Sequence, residues 1–271
     1  MLSLRLLRSP RIFVVMDTDR MRQRYANPPL VEAVVEFQFV PGGHEWDSVF
    51  FGEIRSALKE MFPEIENVAG ADIHINSEGA TVTPAPELKR FLRTDRGMAV
   101  TVGAHVLGVS VLPPNLGHHP GWQEFLDTAL RVLNVYLEVV HPSPVQQIGV
   151  RYVNVLEFGA GAPSLESVVS GASGLIPRRL TQSTGPFTYR FEHFVSADEA
   201  GIHREALQLA GATNPPGALR LIVDIDQIWN SGGEKSPDLI PVCNMLHDQA
   251  YKLFAQVFTS KMRRLFHPVR Q

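Results

Sequence analysis

Cysteine is nearly absent from this chain of 271 residues, which contains only Cys243. A single cysteine excludes an intrachain disulfide and a zinc centre built from several thiolates. Long hydrophobic runs are absent as well, since no stretch reaches the roughly 18 apolar residues of a membrane-spanning helix. The apolar patch near the N-terminus is interrupted by Arg5 and Arg8, which makes it too charged for a secretory signal peptide. We therefore expect a cytoplasmic protein.

The common catalytic and cofactor-binding motifs are also missing. The chain has no GxxxxGK[ST] phosphate loop, no GxGxxG, no GxSxG nucleophile elbow and no HExxH zinc motif. The adjacent residues His118 and His119 make a poor metal site, because neighbouring side chains diverge on a strand and on a helix. The sequence therefore predicts no metal and no cofactor, and it favours a protein that is not an enzyme.

Charge is spread unevenly along the chain, whose net charge is −3. Residues 1–24 carry +4 and residues 249–271 carry +5, which leaves −12 on residues 25–248. An acidic body of this kind repels the phosphates of nucleic acids. The basic C-terminal segment either complements the dipole of a final helix or docks an acidic protein partner.

Hydrophobic patterning predicts an α+β fold. Residues 30–40 alternate between apolar and polar side chains, which is typical of a half-buried strand, and short alternating segments follow from 70 to 112. Three amphipathic helices are expected, at about 48–62, 122–140 and 237–266, and further strands lie between the last two. Strands that occur in runs indicate a largely antiparallel sheet rather than alternating β-α-β units.

A possible duplication is indicated by a long helix followed by His-Pro, at His141-Pro142 and at His267-Pro268. Two related halves would then follow a flexible N-terminal arm. The alternative is one continuous domain whose curved sheet surrounds a long helix and can hold a ligand. The predicted divisions are an arm at 1–24, a first half at 25–158, a connection at 159–185 and a second half at 186–271.

Three short motifs carry a resemblance to a known family. They are Pro28-Pro29-Leu30-Val31-Glu32-Ala33, Gly149-Val150-Arg151-Tyr152-Val153-Asn154 and Leu246-His247-Asp248. In this order the chain resembles the uncharacterised "sporadically distributed protein" family of bacteria and archaea, over about residues 25–266. The resemblance implies no established activity. The patchy distribution of the family implies an accessory gene context, such as a defence or toxin–antitoxin locus.

Polar residues in two of these motifs are the candidate ligand- or partner-binding residues. Arg151 lies in mid-strand, on the face opposite to Tyr152 and Asn154. His247 and Asp248 are expected where the last helix begins, where an acidic side chain suits the helix dipole.

Arg151 has two interpretations. It binds an anionic ligand, or it forms an ion pair with a nearby carboxylate. The carboxylates nearest to it in the expected sheet are Glu32 and Glu36. Only the first interpretation makes Arg151 a ligand-binding residue.

The remaining candidate residues also have interpretations that involve no function. Asp224 and Asp226 share a strand face and, with Glu192 and His193, can bind a cation or act in acid–base chemistry. Their alternative is a solvent-facing surface on which they pair with Arg220 and Arg190. Cys243 lies four residues before His247, but a buried inert thiol is the favoured interpretation.

A basic cluster is the candidate site for single-stranded nucleic acid, because basic residues interleaved with an aromatic suit such a strand. Its alternative is a solvated strand edge, where Lys and Arg discourage edge pairing. The cluster consists of Lys89, Arg90, Arg93 and Arg96, with Phe91 among them.

Three functions of different classes remain open. The leading hypothesis is a non-enzymatic cytoplasmic protein that binds a protein partner, and we expect a neighbouring gene to encode that partner. The alternative is a protein or enzyme that holds a small anionic ligand through Arg151, and the third is binding of single-stranded nucleic acid. A homo-oligomer is compatible with each of them.

Overall fold

The computed structural model describes residues 25–40, 46–68, 71–76, 79–84, 87–112, 121–159, 163–171, 176, 186–197, 201–214, 218–232 and 238–268. The strands in these ranges are β1 (Leu30–Phe39), β2 (Glu64–Val68), β3 (Ala71–Asn76), β4 (Gly79–Pro84), β5 (Leu88–Leu92), β6 (Met98–Val102), β7 (Val106–Val111), β8 (Val145–Phe158), β9 (Phe187–Ala197), β10 (Gly201–Asn214) and β11 (Ala218–Ser231). The helices are α1 (Val49–Leu58), α2 (Trp122–Val140), α3 (Leu165–Val168), α4 (Leu239–Val257) and α5 (Ser260–Leu265).

Nine of these strands form one antiparallel sheet, in the order β2-β5-β6-β7-β1-β8-β11-β10-β9. Its two central strands, β1 and β8, pair with each other from Leu30 opposite Asn154 to Phe39 opposite Val145. Strands β3 and β4 form a separate hairpin. The predicted α+β class with an antiparallel sheet and three main helices is therefore confirmed.

The described helices cover one face of the sheet, which we call the helix face. Alternate residues of β1, such as Val35 and Phe37, are buried there against Ile54 of α1 and Phe125 of α2. Leu221, Val223 and Ile225 of β11 are buried against α4 and the two short helices. Two hydrophobic clusters result, and Tyr152 of β8 packs against both. No helix in the described ranges is long and apolar enough to cross a membrane.

The element order strand, helix, strands, long helix occurs twice along the chain. One set lies on the β1 side of the central pair and the other on the β8 side. Both histidines of the His-Pro pairs adopt left-handed backbone angles, with φ of 47° at His141 and 53° at His267. The proposed boundaries of the halves stay a prediction, and residues 1–24, His118 and His119 lie outside the described ranges.

Two elements differ from the sequence-based expectation. The last helix is interrupted, because Phe258 forms a bridge with Val169 and Thr259 starts α5 by accepting a hydrogen bond from the Met262 amide. Strand β2 was not predicted, because its residues are mostly polar and its Ile65 is exposed at the edge of the sheet. Side-chain capping and edge position here outweigh the hydrophobic pattern.

Candidate functional site

A cavity of about 140 Å³ lies on the helix face, beside Tyr152, where the two hydrophobic clusters meet. Most of its lining is aromatic or aliphatic, and its polar groups come from β8 and α4. We call it the seam pocket. Its lining residues are Tyr25, Pro28, Leu30, Tyr152, Asn154, His247, Ala250, Tyr251 and Phe254.

Three elements build the seam pocket. Strand β8 presents Tyr152 and Asn154, two residues apart and therefore on the same face. Helix α4 presents His247, Ala250, Tyr251 and Phe254, whose spacing of three and four residues places them on one stripe.

The third element is the segment that leads into β1. The amide of Ala26 donates to the carbonyl of His267 at 2.9 Å, and the amide of Asn27 donates to that of Phe266 at 3.1 Å. Through these bonds the C-terminal end of the chain positions Tyr25, whose ring contacts Phe254 with a centroid distance of 5.8 Å.

A hydrogen bond of 2.7 Å joins the hydroxyl of Tyr152 to Nδ1 of His247. Burial, and secondarily the charge of Asp248, raises the pKa of Tyr152 well above its usual range, so the phenol stays protonated. This hydroxyl can donate to Nδ1 of a neutral His247 ring whose proton is on Nε2, or accept from a ring that is protonated on Nδ1. This pair supplies a fixed polar edge and not an activated tyrosinate.

The ring of His247 is held on its flat side by Trp122 of α2. The two rings stack with centroids 4.2 Å apart and an interplanar angle of 5°. The indole nitrogen of Trp122 donates to Oδ1 of Asn244 on α4 at 2.6 Å. The imidazole is thus fixed on one face by Trp122 and at its Nδ1 edge by Tyr152, which makes this wall of the pocket preorganised.

Asn154 is the buried polar group of the pocket, with 1% of its surface exposed. Its Nδ2 donates to the carbonyl of Val223 at 3.2 Å and approaches that of Tyr152 at 3.4 Å. Within the described part of the chain, no hydrogen bond engages its Oδ1. The group that Asn154 has left for a ligand is therefore an acceptor.

Arg151 lies on the opposite face of β8, away from the seam pocket. Its Nε and Nη2 bind the two carboxylate oxygens of Asp224 at 2.8 and 2.6 Å. The expected partners, Glu32 and Glu36, were therefore wrong, because β11 places Asp224 within reach beside β8. This bidentate ion pair neutralises the guanidinium that was proposed to clamp an anion.

The direct ion pairs expected for Asp224 and Asp226 were also wrong, although the charge of Arg190 acts on Asp226 at longer range. Arg220 lies 3.8 Å from Glu157, and Arg190 lies 3.3 Å from Glu192. Desolvation is the main cause that raises the pKa of Asp226 to about 6.

A cation site built from Asp224, Asp226, Glu192 and His193 finds no support in the geometry. Strand β10 separates β9 from β11, so Glu192 and His193 are not on the strand next to the aspartates. Across the described ranges, no group of three acidic, His or Cys side chains is arranged to hold a metal ion.

Asp248 does not lie where the last helix begins. Helix α4 starts at Leu239, after Asp238, so His247 and Asp248 lie in its middle and the helix-dipole argument does not apply. Asp248 acts instead as a negative charge near Tyr152.

Cys243 is fully buried in the core that surrounds α2. Burial raises the pKa of its thiol to about 12. The thiolate is therefore not accessible near neutral pH, and a Cys243–His247 nucleophile pair is not supported.

The basic cluster is divided between two faces and engaged by carboxylates. Lys89 contacts Glu87 at 2.8 Å and Arg90 lies 3.8 Å from Glu32. The guanidinium of Arg93 binds Asp95 at 2.8 Å, while Arg96 binds Glu64 and Glu66. Little positive potential is left for a phosphate backbone.

Tyr152, Asn154 and His247 were predicted from the sequence, whereas the aromatic wall of the pocket was not. Tyr25 lies in the segment before β1, and Tyr251 and Phe254 are three residues apart on α4. Their spacing from His247 was the available signal, but an aromatic stripe at helical spacing indicates ordinary core just as well.

No family model matches the chain, and no curated protein matches it either. The resemblance to the sporadically distributed family stays a prediction.

Proposed function

We propose that the protein is a non-enzymatic cytoplasmic binding protein whose ligand occupies the seam pocket. The ligand is a small planar molecule of one ring or two fused rings that carries an O–H or N–H donor. The observation that supports this most directly is a largely apolar cavity of about 140 Å³ in which the buried Asn154 keeps an unengaged acceptor.

The size of the pocket limits the ligand. An apolar cavity of about 150 Å³ in another protein binds benzene. The seam pocket has a similar volume, and flat aromatic side chains such as Tyr25 and Phe254 line it. A phenol or an indole therefore suits it better than a sugar or a nucleotide.

Asn154 supplies the selectivity. A hydrogen bond from a ligand O–H or N–H to Oδ1 contributes a net free energy of about 0.5–1.5 kcal/mol. A hydrocarbon of the same shape cannot form this bond. We expect phenol to bind more tightly than toluene for this reason.

An anionic ligand is disfavoured by the same geometry. Of the described residues that line the pocket, none is Lys or Arg. Arg151 lies on the other face of the sheet in its ion pair with Asp224. The small-ligand hypothesis is therefore retained for a neutral ligand, which Arg151 does not bind.

Isothermal titration calorimetry with phenol, indole and toluene tests the proposal. We expect saturable binding of phenol and indole, at least threefold weaker binding of toluene, and loss of binding in Ala250→Leu, which fills the cavity. Asn154→Leu should abolish the preference for phenol over toluene.

Ala255→Leu is the matched control, since Ala255 lies on the same helix but does not line the pocket. This variant should bind phenol as the wild type does. Absence of phenol and indole binding to the wild-type protein, or unchanged binding by Ala250→Leu, would overturn the proposal.

The second candidate is the protein-interaction function, in an accessory defence or toxin–antitoxin locus. The observation that favours it is the second face of the nine-stranded sheet, against which no described helix packs. Arg151 contributes a half-exposed guanidinium to this face.

A photo-crosslinking residue at Val153, on this second face, tests that candidate in the original host. We expect a discrete adduct with a second polypeptide, and none from the same residue placed at the exposed Ile240 of α4. Equal labelling from both positions would count against a specific partner.

A further inference from the structure

Strand β9 ends the sheet on one side and, within the described residues, pairs only with β10. Residues 192–197 are all exposed, and Phe194 has 70% of its surface exposed. Proline and lysine, which commonly protect edge strands, do not occur in β9, and its bulge at Val195 lies close to its C-terminal end. The outer backbone groups of this strand therefore form a template for another strand.

We propose that two copies of the chain pair through β9, antiparallel to each other, so that the sheet continues across a twofold axis at Phe191. This assembly does not depend on a ligand in the seam pocket. Its occupant is a second copy of this chain because the sequence of β9 is complementary to itself.

The charges of β9 select this register. Arg190 and Glu192 flank Phe191 on the same face, where Arg190 lies 3.3 Å from Glu192 and Arg204 of β10 binds Glu192 at 2.8 Å. All three side chains are partly exposed, so a second copy can join this charge cluster. Pairing centred on Phe191 places each Arg190 opposite the other copy's Glu192. Centring on Arg190 or on Glu192 would instead place like charges opposite each other, which destabilises a strand pair.

The register centred on Phe191 also keeps the paired residues within the regular part of β9. It also pairs Tyr189 with His193 and Thr188 with Phe194 across the axis. A register shift in the β9–β10 ladder follows at Val195, between Phe194 and Ser196, and marks the end of the regular stretch. Phe194, the most exposed large apolar residue of the strand, falls within the paired stretch.

The opposite edge of the sheet explains why the assembly closes as a dimer. Strand β2 has only five residues, whereas β9 has eleven, so β2 offers the shorter edge. Pairing of β9 with β2 would repeat without end, whereas pairing of β9 with itself closes after two copies.

Sedimentation velocity over a concentration series tests the dimer with charge variants of the full chain. We expect the wild type to dimerise and Arg190→Glu and Glu192→Arg each to weaken dimerisation at least tenfold. The double variant R190E/E192R should dimerise again, because it restores opposite charges across the axis. An equimolar mixture of the two single variants should form a heterodimer.

Glu157→Arg is the matched control, since Glu157 lies beside Arg220 in the interior of the sheet and not at its edge. This variant should sediment as the wild type does, and circular dichroism should show the same fold for every variant. A wild type that stays monomeric at all concentrations would overturn the proposal. The proposal would also be overturned if both single variants dimerised as strongly as the wild type.

Discussion

The two sides of the central β1–β8 pair repeat one order of elements but bury their residues differently. On the β1 side, α1 and α2 pack on the sheet and enclose Tyr136, which stacks on Phe39 with centroids 5.0 Å apart. On the β8 side, the first helix is the single turn α3, and the long helix borders the seam pocket. A shorter covering helix accompanies a less complete core and an accessible cavity.

The second faces of equivalent strands differ as well. Strand β7 presents Val106, Gly108 and Ser110 there, whereas β11, its counterpart by position, presents Asp224 and Asp226. The β1 side thus carries the features of a stable scaffold. The β8 side carries the cavity, the buried Asp224 beside the half-buried Asp226, and the β9 edge, which are the features of binding.

The largest difference should appear when an aromatic ring is removed from each side. Tyr136→Ala should lower the free energy of unfolding by about 3–5 kcal/mol, because the side chain is fully buried in a dense core. Phe254→Ala should cost about 1–2 kcal/mol, because this ring is partly exposed and already borders a cavity. Urea denaturation measures both, and equal losses would remove the contrast.

The next effect is a pH dependence specific to the β8 side. Because the pKa of Asp226 is raised to about 6 in the folded state, this group stabilises the fold at low pH and loses that contribution as the pH rises through 6. The loss should be about 1–3 kcal/mol between pH 4 and pH 8. Asp226→Asn should remove this dependence in urea titrations, and Glu157→Gln should retain it.

Removal of a tyrosine hydroxyl should also lower the free energy of unfolding more on the β1 side than on the β8 side. Tyr136→Phe leaves the carbonyls of Gly103 and Ala104, which the hydroxyl binds at 2.9 and 3.1 Å, without this donor and should cost about 1–2 kcal/mol. Tyr152→Phe should cost about 1 kcal/mol and release the tautomer of His247, which nitrogen NMR shifts report. An unchanged His247 spectrum would contradict the assigned hydrogen bond.

The smallest effect concerns the start of α1, the helix without an equivalent of similar length on the β8 side. The carboxylate of Asp47 accepts from the amide of Val49 at 2.9 Å. Asp47→Ala should lower the free energy of unfolding by about 0.5–1 kcal/mol. Asp47→Asn, which keeps a side-chain acceptor, should lose less in the same denaturation assay.

Patterns of short range predicted most of the fold. The alternation in β1 and the stripe of Trp122–Val140 identified both elements, because each buries a single face. The interruption at Phe258 was not predictable from periodicity, since it depends on pairing with Val169, which lies far away in sequence.

The candidate site was predictable only in part. Alternation along β8 placed Tyr152 and Asn154 together and Arg151 on the other face, as the structure has them. The partner of Arg151 was not predictable, because it depends on which strand lies beside β8. The cavity itself arises from the packing of α4 against residues 25–30, and no local pattern encodes an empty volume.

Native mass spectrometry of the protein from its own host shows whether a ligand occupies the seam pocket. We expect the chain to carry the additional mass of one small ring compound, and we expect Ala250→Leu to lose this mass while Ala255→Leu retains it. A chain that carries no small molecule, and that instead binds a stoichiometric second polypeptide, would contradict the ligand-binding account and favour the protein-interaction candidate.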